Sequence, residues 1–184
     1  NGQWTELEEM AVSEKALPYS DVLKYETHLM VEDPFHIGEL LARVGCERVI
    51  AHIESFDNAK SVKDAYLAWK SAGAKEVGLA ILIDTPLSSL DESIKFSDVV
   101  QIMSIAKLGS QGAQYDERAV SRIQELHAKY PELTIAVDGG VSESNIADLV
   151  RAGARRFGVG SAISRSSDPA SAYSRIKTAA ENAI

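Results

Sequence analysis

The sequence has few of the features that mark secreted, membrane-bound or nucleic-acid-binding proteins. Among its 184 residues there is one cysteine, Cys46, so no internal disulfide can form, which fits a reducing cytoplasm. No apolar run reaches the roughly eighteen residues of a membrane span. The net charge of −8 argues against nucleic acid or an anionic membrane as the main partner. We therefore predict a cytoplasmic protein that acts on a small molecule, with no nucleic-acid or membrane partner.

Several well-known catalytic signatures are also absent. The sequence contains no His-Glu-x-x-His motif, no nucleotide P-loop, no Cys-x-x-Cys pair and no Gly-x-Ser-x-Gly turn. A zincin-type metalloprotease, a P-loop nucleotide hydrolase and an α/β-hydrolase triad are therefore not indicated. Any chemistry has to come from other polar residues at the ends of secondary-structure elements.

Short apolar segments alternate with amphipathic ones, which indicates an α/β fold with a parallel sheet and helical crossovers. The length allows one domain with a substantial core. We predict a single domain over residues 1–184 with an irregular segment at 1–23. The predicted strands are 25–31, 48–53, 76–83, 99–105, 133–137 and 156–159, and the predicted helices are 34–44, 61–71, 116–129, 142–151 and 168–183.

Two glycine-containing turns near the C-terminus are the most informative feature. Asp138-Gly139-Gly140 and Gly158-Val159-Gly160-Ser161 each end an apolar strand and open a predicted helix. Backbone N–H groups without an intrahelical partner, next to a helix N-terminus, can donate hydrogen bonds to a phosphate. Two such turns on consecutive units are typical of the phosphate site of a parallel β/α barrel, where catalytic residues stand at the ends of strands. The alternative is that these glycines only allow tight turns.

Three other polar residues stand near predicted strand ends. His28 closes the first strand, and His52 and Glu54 share one face at the end of the second. Each side chain is either part of a site or a hydrogen-bonded core residue, and the sequence leaves both possibilities open. His36 and His127 are predicted to be solvated. The glycine-rich loop 107–115 is either a lid over a ligand or an exposed connection.

Six motifs follow one another at fitting intervals from about residue 25 onward. They are His28-Leu29-Met30-Val31 with Pro34, His52-x-Glu54, Gly78-Leu79-Ala80 with Thr85-Pro86, Met103-Ser104-Ile105 before a glycine-rich loop, Val137-Asp138-Gly139-Gly140-Val141 and Gly158-Val159-Gly160-Ser161-Ala162-Ile163. Together they resemble the ribulose-phosphate 3-epimerase family of ribulose-phosphate-binding barrels. The resemblance implies a TIM (β/α)8-type barrel, of which about six βα units, strands 3–8, are present in this chain.

The resemblance also implies an activity and a cofactor. Members interconvert D-ribulose 5-phosphate and D-xylulose 5-phosphate through an ene-diolate, with two aspartates as acid and base and a divalent metal (Zn, Fe or Mn) on the sugar oxygens. By resemblance, His28 and Asp138 are metal ligands and Asp138 is one acid/base. The remaining implied contacts are an apolar wall from Met30 and Met103, and phosphate binding by Gly139, Gly140, Gly160 and Ser161.

The sequence departs from the family pattern in two places. The His-x-Asp motif of strand two and the following Met-Asp-Gly are absent. We therefore expect this chain, as given, to lack two metal ligands and the partner aspartate, and to be inactive by itself. The loop after the fourth predicted strand also differs, although its Lys107, Gly109 and Gly112 remain candidates for contact with the substrate phosphate.

Two alternatives to an epimerase remain. One is a non-catalytic protein that retains the sugar-phosphate site without the acid/base pair. The other is a related barrel decarboxylase or hexulose-phosphate enzyme, although the Asp-x-Lys-x-x-Asp motif of those enzymes is absent. A homo-oligomer is possible in each case.

Overall fold

The computed structural model describes residues 9–10, 13, 16–105 and 113–184. From residue 16 onward, the described part of the chain forms six strands and six α-helices. The strands are β1 (Tyr25–Leu29), β2 (Cys46–His52), β3 (Glu76–Ile81), β4 (Val99–Met103), β5 (Thr134–Asp138) and β6 (Arg156–Gly158). The helices are α1 (Phe35–Arg43), α2 (Ala59–Ala72), α3 (Arg118–Lys129), α4 (Ile146–Ala152), α5 (Ser161–Ser164) and α6 (Pro169–Glu181). Short 3₁₀ helices cover Ile53–Ser55, Leu87–Leu90 and Ile94–Phe96.

The strands are ordered in the sheet as they are along the chain. The pairs β1–β2, β2–β3 and β5–β6 are parallel. Alternation of strands with helices confirms the predicted α/β class and its six strand–helix units. None of the helices in the described ranges combines the length and hydrophobicity that a membrane span requires.

The chain divides into two compact units. The N-terminal unit comprises Asn1–Ala80 and Ser89–Val99, and the C-terminal unit comprises Ile81–Ser88 and Val100–Ile184. The prediction of a single domain with an irregular segment at 1–23 stays a prediction.

The core of the N-terminal unit is built around Trp69 on α2. Its side chain is 0% exposed, and its indole Nε1 donates a hydrogen bond to the Phe35 carbonyl oxygen at 2.9 Å. Gly38 on α1 allows the close approach of the two helices, because a Cβ at that position would lie 2.4 Å from the indole ring. Helix α2 begins cleanly because Asn58 and Ser61 form a capping box at its N-terminus. The indole therefore joins α1 to α2 by both packing and a hydrogen bond.

In the C-terminal unit, two arginines of α3 secure the segment that follows β3. Arg118 pairs with Asp84, and Arg122 donates to the carbonyl oxygens of Leu82 and Thr85. These charge-assisted hydrogen bonds are stronger than neutral ones. They attach the segment after β3 to α3.

The two histidines that the sequence predicts to be solvated behave differently. His36 is exposed, as predicted. His127 is only partly exposed, because its Nδ1 is buried. The ring packs against Gly153, where a Cβ would come within 2.5 Å of its Cγ, and the absence of a side chain there opens the space that the ring fills.

Candidate functional site

Asp138 is the last residue of β5, and its register partner is Gly158, the last residue of β6. A Cβ on Gly158 would lie 2.8 Å from Asp138 Oδ1, which is closer than Cβ atoms approach other heavy atoms in proteins. Glycine at 158 therefore allows β6 to pass the carboxylate. Because the two strands are parallel and end at paired residues, the two glycine-containing turns begin side by side.

The turn after Asp138 has an unusual backbone that glycine permits. Gly139 has a φ of 113° and Gly140 a φ of 65°, both in the region that side chains disfavour. The fully buried Ser104 holds this turn from the end of β4. Its N–H donates to the Asp138 carbonyl oxygen at 2.8 Å, and its hydroxyl donates to the Asp138 and Gly139 carbonyl oxygens. Ser104 thus fixes the backbone from which the Asp138 side chain projects.

A second side chain holds the turn from the other side. Asn145 Nδ2 donates to the Gly140 carbonyl oxygen at 3.0 Å, and its Oδ1 accepts from the Ser142 N–H at 2.9 Å. The N–H groups of Asn145 and Ile146 donate to the Ser142 carbonyl oxygen and close a turn there, and α4 itself begins at Ile146, so the predicted start at 142 is wrong. Any anion at Gly139 and Gly140 therefore meets this turn and not a helix N-terminus. After β6, by contrast, α5 does begin at Ser161, immediately behind Gly160.

Residues 105 and 115, on either side of residues 106–112, both lie near the same turn. Ile105 and Tyr115 form an isolated antiparallel bridge, and a Cβ on Gly140 would lie 3.0 Å from the Tyr115 Cα. Burial raises the pKa of the Tyr115 phenol, which therefore stays neutral at physiological pH. The predicted phosphate contacts Lys107, Gly109 and Gly112 lie outside the described residues.

In the N-terminal unit, three polar side chains form a connected series. His28 Nε2 lies 2.9 Å from His52 Nε2, and His52 Nδ1 lies 3.2 Å from Glu54 Oε2. The two rings are inclined by 20° with centroids 4.9 Å apart. His52 is 4% exposed, so it makes these contacts away from bulk water. The sequence left the role of each residue open, whereas the structure brings all three together.

The two predicted apolar contacts differ in exposure. Met30, which follows β1, is 48% exposed, whereas Met103, which ends β4, is buried beside Gln101. Their proposed contact with a substrate stays a prediction. Across the described residues, no group of three or more His, Cys, Asp and Glu side chains is arranged to hold a metal ion.

Ser104 and Asn145 were not recognised as part of the site from the sequence. The only signal for Ser104 was a small polar residue that interrupts the apolar strand before Ile105. Asn145 gave no signal, because its partners are backbone atoms of a turn that the sequence assigned in part to a helix.

We predict that Ser104→Ala destabilises the fold and loosens the Asp138 turn. The variant leaves buried carbonyl oxygens with fewer donors, at a cost of about 1 kcal/mol in free energy of unfolding. Urea denaturation measures this cost. Ser121→Ala is the matched control, because the Ser121 hydroxyl bonds only its own helix at the surface. Equal stability of the two variants would contradict the role assigned to Ser104.

Comparisons with known proteins bear on this arrangement. The model of the ribulose-phosphate 3 epimerase family matches residues 9–164. The ribulose-phosphate 3-epimerase of Aquifex aeolicus (strain VF5) is 31% identical over 166 residues, which cover 88% of this chain and 72% of the relative. The ribulose-phosphate 3-epimerase of Mycobacterium tuberculosis (strain ATCC 25618 / H37Rv) is 29% identical over 172 residues, with coverages of 91% and 72%.

Solved structures show the same fold at lower identity. The 3-hexulose-6-phosphate synthase of Salmonella typhimurium aligns with a TM-score of 0.69 and 19% identity, over 97% of this chain and 81% of that one. The orotidine 5'-monophosphate decarboxylase of Sulfolobus solfataricus aligns with a TM-score of 0.68 and 15% identity, over 96% of this chain and 81% of that one. These likenesses concern the fold alone, and they confirm the predicted TIM-barrel type.

The family match covers most of the described residues, including both glycine turns and the series from His28 to Glu54. The Aquifex relative is similar over nearly nine-tenths of the chain. On these grounds, the chain belongs to the ribulose-phosphate 3-epimerase family.

Proposed function

We propose that this chain acts in the interconversion of D-ribulose 5-phosphate and D-xylulose 5-phosphate. The observation that carries the proposal is Asp138 at the end of β5, facing a glycine on β6 and flanked by two glycine turns. Family membership supplies the substrate class, and the named relatives supply the reaction. The site supplies a carboxylate next to backbone suited to an anion.

Phosphate binding falls to the two turns. In this proposal, the backbone N–H groups of Gly139, Gly140, Gly160 and Ser161 donate to the phosphate oxygens. The side-by-side ends of β5 and β6 place both turns at one end of a strand pair. The hydrogen bonds from Ser104 and Asn145 hold the first turn in a fixed conformation, which lowers the entropy that binding would otherwise cost.

Proton transfer falls to Asp138. Epimerisation requires removal of the hydrogen on the carbon beside the carbonyl, followed by its return on the opposite face. We propose that the Asp138 carboxylate handles the proton on one face, and that an ene-diolate of the sugar forms between the two transfers. The buried Ser104 orients the Asp138 backbone, so the carboxylate approaches the substrate from a fixed direction.

A divalent metal fits the donor types that the chain offers. His28 supplies an imidazole nitrogen and Asp138 carboxylate oxygens, which are donors that Zn, Fe and Mn accept. His28 is also bonded through Nε2 to a neighbouring side chain, as ligating histidines commonly are. Two side chains are fewer than the three protein ligands of catalytic zinc sites, so we propose His28 and Asp138 as part of a larger ligand set. When bound, the metal would neutralise negative charge that develops on the substrate oxygens.

The remaining predicted contacts complete the proposal. Met30 and Met103 provide apolar surface that keeps water from the ene-diolate. In this proposal, Lys107, Gly109 and Gly112 contact the phosphate. We also retain cytoplasmic location and a homo-oligomer as predictions. Two further relatives are a cytoplasmic isoform in Oryza sativa subsp. japonica and a chloroplastic protein in Arabidopsis thaliana, so the family occurs in more than one compartment.

A second candidate function is sugar-phosphate binding without catalysis. The observation that favours it is the pair of glycine turns at the ends of β5 and β6, which suits a phosphate whether or not an acid/base group stands on each face of the sugar. The turns at Gly139 and Gly160 would still bind a phosphate in this case. Both candidate functions therefore predict that the chain binds a sugar phosphate, but only the first predicts that it converts one pentulose phosphate into the other.

The test is epimerisation of D-ribulose 5-phosphate, coupled to an enzyme that consumes the xylulose product. It is run on the product of the gene, with Zn, Fe or Mn and after chelation. We expect turnover that chelation removes. Calorimetry with the same sugar phosphate separates the candidates, since binding without turnover favours the second. Absence of both turnover and binding would refute the two together.

A further inference from the structure

His52 and Glu54 have no part in the reaction as proposed, yet they are held in a defined place. β1 and β2 are paired with His28 opposite Ile50, so His52 is the diagonal neighbour of His28 on the same face of the strand pair. Glu54 lies in the 3₁₀ helix Ile53–Ser55 that follows β2. The Ser55 hydroxyl donates to the Val31 carbonyl oxygen at 2.7 Å and ties this short helix to the segment after β1.

The hydrogen-bond chemistry of the three side chains allows one order of donors when both rings are neutral. An ionised carboxylate only accepts, so His52 Nδ1 carries a hydrogen and donates to Glu54 Oε2, 3.2 Å away. The other nitrogen of a neutral imidazole has a lone pair, so His52 Nε2 accepts. The hydrogen in the 2.9 Å contact therefore belongs to His28 Nε2. The lone pair of His28 is then on Nδ1.

We propose that Glu54 and His52 are positioning residues that set the tautomer of His28, so that Nδ1 is the nitrogen presented to the metal. The proposal rests on the metal role of His28 advanced under the proposed function. Without the Glu54 carboxylate, nothing in this series holds the hydrogen on His52 Nδ1. His52 can then donate from Nε2 instead, and in that reversed order His28 accepts at Nε2 and carries its hydrogen on Nδ1. The reversed order blocks the metal-binding nitrogen although His28 itself is unchanged.

The experiment is nitrogen-15 NMR of histidine-labelled gene product without metal, at a pH well above the usual histidine pKa of about 6.5. We expect the Nδ1–H form for His52 and the Nε2–H form for His28. In Glu54→Ala, both histidines lose these single tautomers, and the reversed order appears as a second population. Glu54 is suited to substitution because its side chain is 26% exposed, so the change leaves no buried cavity. Asp57→Ala is the matched control, since it removes an exposed carboxylate three residues away and leaves both tautomers unchanged.

Calorimetry with Zn and Co on the same proteins gives the second measurement. Loss of an outer hydrogen-bond partner of a metal ligand typically lowers metal affinity by about 10–100-fold, which is the loss we expect in Glu54→Ala but not in Asp57→Ala. An Nε2–H form for His52 in the unaltered protein, or single and unchanged tautomers in Glu54→Ala, overturns the proposal whatever the metal does. The unaltered protein could also show the expected tautomers and yet bind no metal. That result would refute the metal role of His28, and with it the proposal that Nδ1 is presented to a metal.

Discussion

Asp138→Asn is expected to lower kcat for epimerisation by about 10²–10⁴-fold, the range typical of a lost general acid or base. Asparagine keeps the size of the side chain and the hydrogen bonds of its backbone, but its amide takes up no proton at neutral pH. The carbonyl of residue 138 still accepts from Ser104, so the glycine turn and its proposed phosphate contacts are retained. We therefore expect the loss in kcat with a small change in KM.

The measurement is the coupled assay on the gene product, together with exchange of the substrate hydrogen for deuterium from heavy water. Exchange follows the proton transfer itself, so its loss locates the defect at that step. Asp148→Asn is the matched control, because Asp148 lies on α4, has a side chain that is 65% exposed and pairs with Arg151. Activity of Asp138→Asn within about tenfold of the unaltered protein would contradict the acid/base role, since that loss is below the usual contribution.

Metal content separates the two roles that Asp138 is proposed to have. If the aspartate is a ligand, Asp138→Asn also binds less metal, because an amide oxygen is neutral and a weaker donor than a carboxylate. Metal analysis of the purified variant measures this directly. If the variant retains its metal but loses hydrogen exchange, the result supports the acid/base role of Asp138 and argues against its role as a metal ligand.

The strands were predictable because each has a strong local signal. β4, for example, is uninterrupted apolar sequence except for Gln101, and buried parallel strands commonly have this pattern. The predicted strand ends differ from those of the structure by no more than two residues. The candidate site was partly predictable for the same reason, since Asp138 and its two glycines directly follow such a strand.

The start of α4 and the series from His28 to Glu54 were not predictable, because both depend on contacts that local sequence does not contain. The Asn145 side chain bonds the backbone of Gly140 and Ser142 in the turn before α4, at positions where the spacing of apolar residues favours a helix. His28 and His52 are 24 residues apart and meet only through the register of β1 and β2. Register is a property of the paired strands, so each histidine had two possible roles until the pairing was known.

Trp69→Ala is expected to cost about 3–5 kcal/mol in free energy of unfolding, the range for deletion of a large buried aromatic side chain. The indole is fully buried and packs against the rings of Tyr66 and Phe56. Its removal also leaves the Phe35 carbonyl oxygen without its indole donor. Because small proteins are stable by only about 5–15 kcal/mol, this loss is a large share of the total.

Leu67→Ala is the control for Trp69→Ala, since it removes an apolar side chain from the same helix at a position that is 61% exposed, where changes are within about 0.5 kcal/mol. Urea denaturation followed by circular dichroism measures both variants. Trp69→Phe separates packing from hydrogen bonding, because the phenyl ring fills much of the space but donates nothing to Phe35. A cost below about 1 kcal/mol for Trp69→Ala would contradict this prediction. It would mean that α1 and α2 move together and fill the cavity left by the indole, with Gly38 at their contact.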